Sequence, residues 1–245
     1  MRLIQITDCH LHADPEGRCR TGFAYPQLEA VVAAASRRYP DLVLVTGDVS
    51  EDESLESYAL AEQALSRLDC PWHWLAGNHD DPATMARQRP LPAALDAGRW
   101  RLLIVDTYWA GHDGGQLSDE TLAGLGEALE QHPGRPTLLA MHHPPVAVGS
   151  AWLDELGLRR ADALAALLCG QPQVRGIVCG HIHQAFAGHL ETESGAVPVY
   201  GCPSTSDQFL RGSDEFAVDE ASRPGFRVID LRGEDFSTWV ERVDL

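Results

Sequence analysis

Five short apolar runs in this 245-residue chain each end in side chains that can offer oxygen or imidazole nitrogen to a cation. Leu3 to Ile6 leads into Asp8-Cys9-His10, Leu42 to Val45 into Gly47-Asp48, and Trp72 to Ala76 into Gly77-Asn78-His79-Asp80. Thr137 to Ala140 leads into Met141-His142-His143-Pro144, and Val174 to Val178 into Gly180-His181-Ile182-His183. Short apolar runs bounded by turn residues read as buried strands. Ligands in open α/β sheets bind outside the carboxyl ends of strands, so these donors are expected to converge. Asp8 and His10 are two apart, as are His181 and His183, so on extended backbone each pair faces one way. Asp8, His10, Asp48, Asn78, His142, His181 and His183 are too many donors for one tetrahedral zinc. They suit two metals sharing a carboxylate. Such pairs, roughly 3.5–4 Å apart, clamp the attacking and leaving oxygens of an in-line displacement, which is phosphoryl chemistry. A lone Asp-x-His or Gly-Asp arises by chance; all five motifs, each after a strand, do not.

The first half of the chain alternates strand and helix. Helices are expected from Pro26 to about Arg38, from about Leu55 to Leu68, near Pro82 to Arg87, and from about Asp119 to Gln131 behind a Ser118 cap. Arg101 to Asp106 reads as a further strand, His112 to Gln116 as a Gly-rich turn, and Arg159 to Cys169 as a helix closed by Gly170. After Val174 strands dominate: Gln184 to Leu190, Val197 to Gly201, Gly225 to Leu231 and Phe236 to Val243, with a polar loop from Arg211 to Pro224. No repeat or flexible linker interrupts the chain, so one domain over residues 1–245 is expected.

Net charge of −17, with arginine as the only strongly basic residue type, disfavours a grip on nucleic-acid backbones or anionic lipid. Two cations would still hold a small anionic substrate in one spot. No apolar run approaches the roughly 20 residues of a bilayer span. Met1 to Ile6 runs straight into the first donor motif, leaving no room for a signal peptide, so a cytoplasmic protein is expected. The cysteines at 9, 19, 70, 169, 179 and 202 form no C-x-x-C pair and are read as reduced thiols, with Cys9 a small buried hydrophobe.

Together, Asp8-x-His10, Gly47-Asp48, Gly77-Asn78-His79-Asp80, His142 and Gly180-His181-x-His183 resemble the signature of the calcineurin-like metallophosphoesterase superfamily, in order and spacing along the whole chain. The resemblance implies an α/β, four-layer sandwich of two mixed β-sheets flanked by helices. It implies one metal on Asp8, His10, Asp48 and His183, and a second on Asp48, Asn78, His142 and His181, with Asp48 as the bridge. His143 is read as a packing neighbour, and His12, His73, His112, His132 and His189 as ordinary histidines. His79 matches the position that protonates a leaving alkoxide, and either Glu51 or Asp80 could orient it. His10, Asp48, Asn78, His79 and His183 would form the wall that touches the phosphate. A metal-activated hydroxide would attack phosphorus in line. Iron, manganese, zinc or cobalt suits the mixed donor set.

The segments Thr46 to Ser54, Gly114 to Ser118, and Cys202-Pro203-Ser204-Thr205-Ser206-Asp207-Gln208-Phe209 further resemble bacterial class III cyclic-nucleotide phosphodiesterases. Those usually carry P-S-T-C-x-Q in the last segment; here Ser206 stands in the cysteine position. This implies hydrolysis of 3′,5′-cyclic AMP to 5′-AMP, and it allows a homodimer. The alternative is a hydrolase for other small phosphodiesters, 2′,3′-cyclic nucleotides or glycerophosphodiesters. A nuclease is disfavoured by the acidic charge, and a non-catalytic scaffold by the intact His79 and donor set.

Overall fold

Alternation along each apolar run decides which layer a side chain enters. A computed structural model describes all 245 residues. In β1 (Arg2–Ile6), Ile4 and Ile6 face a helix layer with Val43 and Val45 of β2 (Leu42–Thr46), while Leu3, Leu42 and Leu44 face a second sheet. The helices on that outer side are α1 (Ala24–Ser36), α2 (Leu55–Leu65) and, after β3 (Trp72–Leu75), α3 (Pro82–Gln88). Their starts follow from local chemistry. Ser54 accepts a hydrogen bond from Ser57 N at 3.1 Å and Asp81 accepts one from Thr84 N at 2.9 Å, each satisfying an amide that the helix leaves free.

The second half begins with β4 (Ala94–Ala97), β5 (Trp100–Ile104), β6 (Gly115–Gln116), α4 (Asp119–Gln131) and β7 (Thr137–Met141). It continues with α5 (Ala151–Glu155), β8 (Leu158–Arg159), α6 (Ala161–Leu168), β9 (Val174–Cys179), β10 (Phe186–Thr192), β11 (Gly195–Gly201), β12 (Gly225–Arg232) and β13 (Asp235–Arg242). One sheet has the order β13-β12-β1-β2-β3, the other β10-β11-β9-β7-β5-β4; both are mixed, with β1, β2 and β3 parallel along one side of the first and β11, β9, β7 and β5 parallel through the middle of the second. Leu138, Ala140 and Val178 meet Leu3, Leu42 and Leu44 between the sheets, whereas Leu139, Met141 and Ile177 pack on α4 and α6. The result is helix, sheet, sheet, helix, the four-layer order the motifs implied.

Several expectations shift. Arg159 belongs to a short strand rather than to a helix, and α6 starts only after Arg160 turns through φ 65°. Gln116, read as the end of a turn, pairs with Arg159 across β6 and β8. The strands β4 and β8 and the five-residue α5 carried no periodic signal. The edge strand β13 turns Phe236 toward the core between the sheets, while Trp239 on its other face is exposed.

Candidate metal centre

Strands β1, β2 and β3 of one sheet and β7 and β9 of the other end on the same side, and each is followed by its donor motif. Asp8, His10, His183 form one tight group, and Asp8, Asp48, His142 another; within each group the ligand atoms lie within 4.8 Å of one another. The backbone reaches this arrangement by a route the sequence did not suggest. Asp8, His10, Asp48, His181 and His183 all take left-handed φ values, between 49° and 66°. The expectation that Asp8 and His10 share an extended exit is therefore corrected. Each left-handed residue costs roughly 1–2 kcal/mol. The exit of β1 is held against that of β2 by Asp8 N to Gly47 O, His10 N to Asp48 O and Leu11 N to Val49 O, each 3.0 Å. Cys9, between the two donors, packs into the helix-side core.

Crowding explains two of the motif glycines. A Cβ on Gly77 would lie 2.2 Å from Asp48 Oδ1, and one on Gly180 2.2 Å from Thr7 Oγ1. Neither contact is physically available to a side chain.

The outer nitrogens of the rings are fixed by the protein. His183 Nδ1 faces the Asp207 carbonyl at 2.7 Å, His142 Nδ1 the Thr46 carbonyl at 2.8 Å, and His10 Nδ1 the Glu51 carboxylate at 2.7 Å. A carbonyl or carboxylate only accepts, so these nitrogens carry protons and each Nε2 turns inward. His10 Nε2 and His183 Nε2 then stand 3.1 Å apart. Asn78 Oδ1 is 3.0 Å from both His142 Nε2 and His181 Nδ1. His142 Nε2 lies 3.3 Å from Asp48 Oδ1, and His183 Nε2 lies 3.4 Å from Asp8 Oδ1. Lone pairs crowded at these distances need positive charge among them, a proton or a metal ion, and the nitrogen and oxygen donor set fits metal ions.

Charge points the same way. Burial disfavours ionised Asp8 and Asp48, but the charges and hydrogen bonds of neighbouring imidazoles reverse it, and both carboxyls are held below the usual range. Burial likewise opposes charge on His10 and His142. The Glu51 hydrogen bond together with Asp48 and Asp8 outweighs it at His10, and Asp48 and Asp8 outweigh it at His142; both rise to about 9. The buried carboxylates thus demand positive charge, as protons or as metal.

His143 is drawn into the group with His142 and His181 by distance alone. Its Nδ1 lies 2.9 Å from Thr107 Oγ1 and its Nε2 3.1 Å from the Asp113 carbonyl, so both nitrogens already have partners. Burial and the charge on His142 push it down to about 3. Asp80 accepts from Gly77 N at 2.9 Å, Ser50 N at 3.0 Å and Val49 N at 3.1 Å, tying two donor loops together. Glu51 Oε2 is the group facing His79, 3.2 Å from its Nδ1. His79 N also donates to Asp48 Oδ1 at 2.9 Å.

The Pro203 to Phe209 segment was notable in the sequence, but its part was not readable. Ser204 and Ser206 both direct hydroxyls at the Asp8 carbonyl, at 2.7 and 3.2 Å, and Thr205 N donates to the Thr7 carbonyl. A serine at 206 therefore supports the Asp8 backbone with no need of a thiol. His12 lines the cavity outside the donors, together with Arg20, Trp152, Phe209 and Phe216, none of which the sequence singled out as site residues. No helix is long and apolar enough to cross a membrane.

Comparison with known proteins places the chain among relatives. The chain is 37% identical over 249 residues to a Pseudomonas aeruginosa protein named 3′,5′-cyclic adenosine monophosphate phosphodiesterase CpdA, covering 99% of this chain and 90% of that one. It is 36% identical over 253 residues to the protein of the same name from Vibrio vulnificus, with 99% and 90% covered. Among solved structures, a dimetal phosphatase from Danio rerio superposes with a TM-score of 0.70 at 13% identity, covering 99% of both chains, which is a likeness of fold. The family model described as calcineurin-like phosphoesterase matches residues 1–185, and the chain belongs to that family.

Proposed function

We propose that this chain, acting as one domain, is a metal-dependent phosphodiesterase that opens 3′,5′-cyclic AMP to 5′-AMP. The observation carrying the reading is one cavity in which five of the donors, His10, Asp48, Asn78, His181 and His183, meet His79 and its partner Glu51, with Asp8 and His142 buried beside Asp48. Relatives named for that activity, matched along nearly the full chain, support the choice of substrate. One cation is assigned to Asp8, His10, Asp48 and His183, the other to Asp48, Asn78, His142 and His181. Iron, manganese, zinc and cobalt all suit such nitrogen and oxygen donors. Bound there, they would draw charge from the phosphoryl oxygens and lower the pKa of water.

The residues do the rest. Asn78 and His79 lie on one short turn after β3, so the phosphate between the donors faces the His79 ring. Glu51 accepts the hydrogen bond of His79 Nδ1 and its charge complements the imidazolium form, whose Nε2–H is then the donor toward substrate. When the bond from phosphorus to O3′ breaks, His79 gives O3′ a proton, and the water oxygen remains on phosphorus as 5′-AMP forms. The reading includes a cytoplasmic enzyme working on small soluble substrates.

The test is a panel of 3′,5′-cyclic AMP, 2′,3′-cyclic AMP and glycerophosphocholine with manganese-reconstituted protein, products resolved by chromatography. The expected result is 5′-AMP formed from 3′,5′-cyclic AMP with a kcat/KM at least tenfold above the other two. A faster reaction with glycerophosphocholine or 2′,3′-cyclic AMP overturns the substrate assignment.

A further inference from the structure

Beside the donors the cavity, of about 570 Å³, has one wall that carries the aromatic rings of Trp152, Phe209 and Phe216. The Phe209 ring lies parallel to that of His183, with centroids 3.9 Å apart and planes 7° apart, so the wall begins one ring away from a metal donor. Trp152 of α5 meets Phe209 at 5.0 Å and Phe216 at 5.1 Å. Phe216 reaches this position because the chain doubles back after Phe209: Leu210 N donates to Ala217 O and Asp219 N to Gln208 O, both 2.8 Å. The guanidinium of Arg20 stands 4.6 Å from the Phe216 ring centroid.

The loop carrying Arg20 is pinned by a residue that also touches the metal centre. The Asp207 carboxylate accepts from Arg20 N at 2.9 Å and from Thr21 N and Thr21 Oγ1 at 2.7 Å. The carbonyl of the same residue accepts from His183 Nδ1. Wall and donors are therefore fixed relative to each other through Asp207.

We propose that this wall is a subsite for a planar aromatic base, with Phe216 and Arg20 as its specificity-determining residues. The proposal rests on the phosphodiesterase reading above and adds what lies beyond the phosphate. Bases stack on aromatic faces and on arginine planes, and both surfaces are present. A glycerol group would leave the rings in water, and a choline cation, which aromatic faces attract, would meet the like charge of Arg20, whose guanidinium already stands over the Phe216 ring. An aliphatic tail would desolvate Arg18 and Arg20, the cationic side chains of the same wall. Phe216 is 46% exposed and the Arg20 side chain 66% exposed, so both are open to a ligand and tolerant of substitution.

The experiment is calorimetric titration of manganese-loaded protein with 5′-AMP and with ribose 5-phosphate, which share sugar and phosphate and differ in the base. The native protein is expected to bind 5′-AMP at least tenfold more tightly. Phe216→Ala and, separately, Arg20→Gln are expected to weaken 5′-AMP about fivefold or more while ribose 5-phosphate stays within twofold. Retained ribose 5-phosphate binding also shows that a variant is folded. Equal affinities in the native protein, or a ratio that neither substitution changes, overturn the proposal. Parallel loss of both ligands in Arg20→Gln assigns that arginine to the phosphate and removes it from the base subsite. Because binding is read directly, a failure to hydrolyse cyclic AMP would count against the activity alone, and equal affinities with turnover intact against the subsite alone.

Discussion

The Glu51 carboxylate lies between two imidazoles, its Oε2 2.7 Å from His10 Nδ1 and 3.2 Å from His79 Nδ1. One side chain thus orients both a metal donor and the group assigned to protonate the leaving oxygen. Glu51→Gln keeps the shape and removes the charge. Manganese affinity should fall about 10- to 100-fold, and His10 in the metal-free protein should titrate below about 9. Metal titration and NMR of the ring protons check this; unchanged values for both would show that Glu51 is a bystander.

His79→Ala should leave metal content intact and cut turnover of cyclic AMP about 10²- to 10⁴-fold. Bis(p-nitrophenyl) phosphate, whose leaving group needs no proton, should lose far less. Equal losses on the two substrates would contradict a proton-donor role.

Asp48 faces His142 Nε2 at 3.3 Å and His10 Nε2 at 3.7 Å, between the two halves of the donor cluster. Asp48→Ala should therefore empty or scramble both sites together. Elemental analysis that still finds two metals per chain would rule out a bridging carboxylate.

A pair of glycine substitutions separates crowding from propensity. Gly77→Ala places a methyl 2.2 Å from Asp48 Oδ1, so metal binding should collapse with a stability loss of about 1–3 kcal/mol. Gly124→Ala, on the exposed face of helix α4 with nothing within 4 Å, should gain about 0.5–1 kcal/mol. Chemical denaturation of both variants reads the contrast, and the same sign for both would refute it.

Metal binding should release protons at pH 7.5, since His10 and His142 in the metal-free chain are raised to about 9. Their folded pKa exceeds the unfolded value of about 6.5. The stability they contribute is thus full below pH 6.5 and lost as pH rises through 9. Melting of the metal-free protein should drop across that window, and melting of the loaded protein should not follow it. Calorimetry in buffers of different ionisation enthalpy counts the protons; a count of zero would contradict the raised values.

The donor motifs were legible because each follows its own strand, and β2 and β7 run over the residues their apolar content marked. What escaped the sequence was set by longer-range contact. Period-two reasoning assumes extended backbone, whereas Asp8 and His10 are left-handed, held by hydrogen bonds to a neighbouring loop. Asp80 adjoins His79 in sequence, yet three backbone amides capture its carboxylate and Glu51 meets the ring instead. The aromatic wall draws Trp152 from one short helix and Phe216 from a loop far along the chain, so no local pattern announces it.

The two sheets contribute unequally to the centre. Asp8, Asp48 and Asn78, the oxygen donors of the proposed site, follow strands of one sheet, and His142, His181 and His183 follow strands of the other. A cation held from both sides would act as a rivet through the sandwich. Chelation should therefore loosen the seam at the open end first, and amide exchange there should quicken before either helix layer responds.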